Sequence, residues 1–153
     1  MTVAIQLFGY FRHHKNPFTM TFQNFIYWGA RILSAFILLQ TLFFKFTASP
    51  ESVYIFTKVG IEPWGRILVG ILELVAGVLL LIPATAWLGA MLSLGLMAGA
   101  VGMHLTLLGI EVMDDGGYLF FLALTVAICS AFVLSKNIDK IGEAISLLRR
   151  KIS

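Results

Sequence analysis

The chain alternates long apolar runs with short polar breaks, and the breaks set its elements. The longest run, residues 74–110, contains no Lys, Arg, Asp or Glu. One bilayer crossing takes about 20 apolar residues, so this run suits two crossings joined by a tight turn. Pro83, in Ile82-Pro83-Ala84-Thr85, marks that turn, because the residue before a proline is pushed out of helical conformation. Further runs on either side bring the expected spans to four, at about residues 28–46, 64–82, 85–108 and 117–135.

The breaks carry capping signals. Ser49-Pro50-Glu51 reads as an N-cap, a proline at the first helical position and an acid in the first turn. Gly60 reads as the stop of the short helix that follows. Asp114-Asp115-Gly116-Gly117 makes a loop with acids at the N-terminus of the fourth span, where the macrodipole favours them. After the last span, Ile138, Ile141, Ile145, Leu148 and Ile152 recur at alternating three and four, with Lys140, Glu143, Arg150 and Lys151 off that stripe. This is the pattern of a basic amphipathic helix lying on a membrane surface. The start of the chain, with Val3, Leu7, Phe8 and Phe11 before Arg12-His13-His14-Lys15, suggests a second interfacial segment. The expected organisation is an interfacial segment at 1–27, a four-helix transmembrane domain at 28–135 and a basic tail at 136–153. The expected fold is an all-α membrane protein, a four-transmembrane-helix bundle with a short extracytoplasmic helix and a C-terminal amphipathic helix.

Composition agrees. The chain is 59% hydrophobic and 12% charged, with mean hydropathy +0.91. Soluble domains carry about 25% charged residues. The net charge of +3 matters less than its placement: no Lys or Arg falls between Ile67 and Ser135, and the bases cluster toward the two termini. The positive-inside rule then puts both termini in the cytoplasm, with the protein in the inner membrane and the acidic loop of Glu111, Asp114 and Asp115 outside. The lipid bilayer is the expected surrounding, and nucleic acid is not an expected partner. A single cysteine, Cys129, excludes an intramolecular disulfide or dithiol relay.

The candidate chemistry lies inside the spans. Glu73 sits directly before the uncharged run, nine residues after Trp64, which places it near the bilayer midplane. An ionised group there costs at least ~2.5–3.5 kcal/mol, so it is a candidate functional group by default. Counting inward from the outer ends, Lys45, Gln40, Arg66 and His104 also fall in the outer half, and could converge with Glu73 on one outward-opening pocket. Such a group could bind a quinone oxygen, pass a proton or hold a cationic ligand. The plainer alternative pairs Glu73 with Lys45, Arg66 or His104 only to fix helix register, with His104 a satisfied core histidine. Arg31, near the inner end of the first span, is expected to snorkel to the headgroups. Gly95, Gly99 and Gly102 form a small-residue row expected at the tightest helix contact. No metal site is expected: one intramembrane histidine is too few for a bis-histidine haem, and Met91, Met97 and Met103 read as apolar filler. No GxSxG, phosphate-cradling loop or HExxH is present.

These residues carry a resemblance. Ala30-Arg31, Leu42-Phe43-Phe44-Lys45-Phe46, Pro63-Trp64-Gly65-Arg66, Gly70-Ile71-Leu72-Glu73-Leu74, Leu79-Leu80-Leu81-Ile82-Pro83, Gly89-Ala90 and Met97-Ala98-Gly99-Ala100 before His104 stand in the order and spacing of the DoxX family. The chain resembles that family of small four-helix membrane proteins over about residues 28–135. The resemblance implies a non-catalytic subunit or accessory of a membrane redox or envelope system. It also implies a membrane or extracytoplasmic redox partner, with Arg31, Lys45, Glu73 and His104 at recurring polar positions. A quinone is the candidate cofactor, and a homo-oligomer remains open. The alternatives are a proton-coupled carrier centred on Glu73 and a structural or chaperone-like membrane protein.

Overall fold

The structure, a computed structural model, describes residues 17–152. The expectations for Val3 to Lys15 lie outside the described residues. Six α-helices follow in order: α1 (Pro17–Phe46), α2 (Pro50–Val59), α3 (Trp64–Leu81), α4 (Ala86–Met103), α5 (Tyr118–Ser135) and α6 (Ile138–Ile152). Helices α1, α3, α4 and α5 are long and apolar enough to cross a membrane. The protein is therefore an integral membrane four-helix bundle in contact with the lipid bilayer. Helix α1 starts at Pro17, well before the Trp28 expected from hydropathy. Residues 17–27 are continuous with the first helix.

The four spans form a ring in which α1 packs on α3 and α5, and α4 closes it against the same two. Large apolar side chains such as Phe36, Phe43, Phe121 and Ile128 point outward, as lipid-facing positions must when the solvent is hydrocarbon. The inner surfaces use small residues, because helix association in lipid depends on close packing and not on hydrophobic burial. Ala76, Gly77, Ala86, Gly89 and Ala90 are all buried. The tightest contact is at Gly89. A Cβ there would lie 2.5 Å from the Leu80 backbone nitrogen and 2.9 Å from the Ala76 carbonyl oxygen.

This corrects the expectation for Gly95, Gly99 and Gly102. A Cβ at any of them would meet nothing within 4 Å. The row sits off the α4 face that carries buried Gly89, Ala90, Ser93 and Met97, so its glycines leave space and bring no helix closer.

The capping signals are realised. The Ser49 side chain accepts from the Ser52 N–H, Pro50 opens α2, and Gly60 ends it with φ 83°. Helix α4 does not run regularly to Leu108. It gives way at His104–Leu108 to one π-helical turn that stops at Gly109, with φ 88°. The Gly109 N–H bonds back to the His104 carbonyl at 2.9 Å, and only glycine takes that backbone shape readily.

Away from α2, polar contacts join the helices. The Ser93 and Ser130 hydroxyls bond at 2.6 Å between α4 and α5. Arg31 does not snorkel, since it is 1% exposed. Its Nε donates to the Leu80 carbonyl at 2.7 Å, and its guanidinium stacks 4.1 Å from the centre of the Trp28 ring. The negative C-terminal end of α3 and an aromatic face meet part of the charge, while Arg31 Nη2 is buried without a hydrogen-bond partner among the described residues.

Candidate functional site

The half of the bundle nearer α2 holds a partly open cavity of about 450 Å³. Ligand pockets commonly span roughly 300–1,000 Å³. All four spans contribute, and Ser52 and Phe56 of α2 lie across its outer side. Its walls are mainly apolar, with Leu38, Val69, Leu96 and Met97 typical of them.

Into this cavity α1 presents Thr41 and Lys45, one turn apart on the same face, and α3 presents Glu73. Lys45 Nζ lies 2.9 Å from Glu73 Oε2. Thr41 Oγ1 donates to the same oxygen at 3.1 Å. Glu73 is 3% exposed, so its charge is met by a cation and a hydroxyl together, as burial in a low-dielectric site requires. The Lys45 ammonium has three N–H donors, so it can serve Glu73 and a bound oxygen together.

His104 enters from the π-helical turn. Its Nδ1 lies 2.7 Å from the Gly109 carbonyl oxygen. A carbonyl only accepts, so Nδ1 carries the proton and Nε2 keeps a lone pair when the ring is neutral. The ring packs edge-on against Phe120 with centroids 5.6 Å apart. A π-helical turn is rare and often found at functional sites. Here it seats the histidine, which lines the cavity.

Asp115 also lines the cavity. Its Oδ1 accepts from the Val112 N–H at 2.8 Å and the Gly117 N–H at 2.9 Å. Its Oδ2 accepts from the Leu119 N–H at 3.0 Å, in the first turn of α5. Burial pushes the Asp115 carboxyl up, but the N–H groups of Leu119, Val112 and Gly117 outweigh it and hold the group below its ordinary range. Proximity to His104 acts in the same direction.

The structure thus brings together Glu73, Lys45 and His104 and leaves out two residues expected with them. Arg66 turns instead to Glu62, with Nη2 2.8 Å from Oε1, and donates through Nη1 to the Lys45 carbonyl. It ties the end of α1 to the start of α3 and does not line the cavity. Gln40 lies off the Thr41–Lys45 face and does not line the cavity either. Sequence reasoning missed Thr41 and Asp115. Thr41 was visible as the residue one turn before Lys45. Asp115 was visible only as a helix-start acid, because its access to the cavity depends on how the loop folds.

An all-helical integral membrane bundle with a polar cluster in its outer half is the class these features define. The chain belongs to the DoxX-like family, whose model matches residues 30–134, well over half of its length. Neither the curated proteins nor the solved structures give a match. Among the described residues no group of three or more His, Cys, Asp or Glu is placed to hold a metal ion.

Proposed function

We propose that the protein is a non-catalytic subunit or accessory of a membrane redox or envelope system, and that its outer cavity holds the polar head of a quinone or lipid. One observation carries this reading: a 450 Å³ apolar chamber with Lys45, Glu73, Thr41 and His104 at its wall. Donors come from Lys45 and an acceptor from His104 Nε2, so a head bearing an oxygen and a hydroxyl would find a partner for each. Both termini are placed in the cytoplasm and the cavity opens toward the outer side of the inner membrane, on the positive-inside argument. Contact with a redox partner or a second copy belongs to this proposal.

The first experiment is gentle solubilisation from the native membrane, followed by mass spectrometry of everything retained, proteins and small molecules together. A retained quinone or lipid in stoichiometric amount supports the cavity, and a stoichiometric redox partner supports the subunit role. A clean, empty homo-oligomer overturns both.

The 2.9 Å contact between Lys45 and Glu73 also favours a second reading, in which the pair only holds α1 and α3 in register. Glu73→Gln separates the two. Normal folding with lost ligand supports a binding site. Lost expression, partly restored by adding Lys45→Met, supports a structural pair.

A further inference from the structure

The cavity does not end at its own walls. Below it, a second apolar space of about 520 Å³ runs along α3 and α4, lined by Leu79, Leu88, Met91, Leu92, Gly95 and Leu96. Gly95 and Leu96 line both spaces. The two are therefore neighbours that share this wall, the cavity bearing polar groups and the groove lined by apolar side chains alone.

The helix geometry explains their placement. Helices α3 and α4 touch backbone to backbone at Gly89, where even a Cβ would collide. Toward the outer side they part, and α3 reaches the cavity only through Val69 and Glu73. Gly95 stands where the helices begin to separate. No neighbour within 4 Å requires a glycine there, and α4 would gain helix propensity from alanine. The missing side chain leaves free space at the wall that cavity and groove share.

We propose that the occupant is a long single-chain amphiphile drawn from the bilayer. Its oxygen-bearing head sits between Lys45–Glu73 and His104, and its tail passes Gly95 into the α3–α4 groove. This rests on the cavity reading above and narrows it to a substrate class. From His104 to Leu88 the helix rises ~24 Å, a span that suits an extended acyl or isoprenoid chain. A small polar metabolite would leave the inner portion unfilled. A prenylated quinone and a lysophospholipid share this chemistry, and the test distinguishes them.

The full-length protein in nanodiscs is irradiated with one of two probes. The first is a benzoquinone on a long alkyl chain ending in a diazirine, and the second a lysophosphatidylcholine with the same chain end. Adducts are mapped by peptide mass spectrometry, with and without excess untagged probe. The expected result is competable labelling at Leu88, Met91 and Leu92, from whichever probe matches the natural source. Groove labelling should fall about tenfold or more in Gly95→Phe, a factor worth ~1.4 kcal/mol. Leu88→Trp, which fills the groove from its far end, gives the same loss if Gly95→Phe fails to fold. Competable labelling confined to the cavity, or groove labelling that survives both substitutions, overturns the tail assignment alone. The absence of competable labelling with either probe overturns the cavity reading as well.

Discussion

Removing the Lys45 ammonium tests whether the Lys45–Glu73 pair carries the energetics that its burial implies. The two charged groups lie 2.9 Å apart, with side chains 15% and 5% exposed. At an effective dielectric constant of about 20, unit charges 4 Å apart attract by roughly 4 kcal/mol. Breaking a buried pair by deleting one partner commonly costs about 3–5 kcal/mol, because the survivor is left uncompensated. In Lys45→Met the survivor is Glu73, with the Thr41 hydroxyl still bonded at 3.1 Å. That bond offsets part of the loss, since a hydrogen bond to a charged group contributes about 1.5–3 kcal/mol net, and it holds the cost at the low end of that range. The expected cost of Lys45→Met is therefore about 3 kcal/mol. Glu73→Gln should cost less, about 1–2 kcal/mol, because Lys45 sits in the last turn of α1 and its long stem lets the ammonium reach the headgroups. The double variant should approach the milder single variant, giving a coupling of about 2–3 kcal/mol in a double-mutant cycle. The assay is reversible unfolding by SDS in mixed micelles, with helicity as the readout. Additivity within about 0.5 kcal/mol would refute the reasoning. So would a larger loss from Glu73→Gln than from Lys45→Met.

Two further outcomes follow from the packing and the outer loop. Gly89→Ala should destabilise by at least about 1–3 kcal/mol, since its Cβ would press on the Leu80 and Ala76 backbone, whereas Gly95→Ala should be neutral or slightly stabilising in the same unfolding assay. Asp115→Ala should cost about 0.5–2 kcal/mol by stripping an acceptor from the N–H groups of Val112, Gly117 and Leu119. Because the folded protein holds the Asp115 carboxyl below its ordinary value, its contribution is fully present above that ordinary value and is lost as pH falls through the lower folded one. The wild type should therefore converge on Asp115→Ala only at strongly acidic pH, and equal stabilities at neutral pH would contradict the capping role.

The fold was legible in the sequence because membrane spans announce themselves by length and lack of charge. Ser49, Pro50 and Gly60 each played the part their residue type suggests, since caps and stops depend on a few neighbours. The site was legible only in part. Glu73, Lys45 and His104 could be ranked by depth, and depth is what brings them to one cavity. Rotation about the helix axis is a different matter. It decides that Thr41 joins Lys45 while Gln40 does not, and depth alone says nothing of it. Arg66 and Arg31 illustrate a second gap. Each has a near partner that competes with its expected environment: Glu62, one turn before Arg66, and the Leu80 carbonyl facing Arg31 from another helix. The glycine row failed for a related reason. A GxxxG spacing marks a smooth helix face, but whether that face meets a helix, a lipid or a void depends on where the neighbouring axes diverge.

The floor beneath the cavity has a consequence for traffic. Arg31 is sealed against Trp28 and the end of α3, Gly89 leaves no gap for α4, and the Ser93–Ser130 bond joins α4 to α5. These contacts tie α1, α3, α4 and α5 together away from the cavity. On the proposed reading, an occupant held in the cavity and along the α3–α4 groove comes from the surrounding lipid and returns to it. On that reading, the bundle would offer its surroundings one distinction, a filled cavity against an empty one.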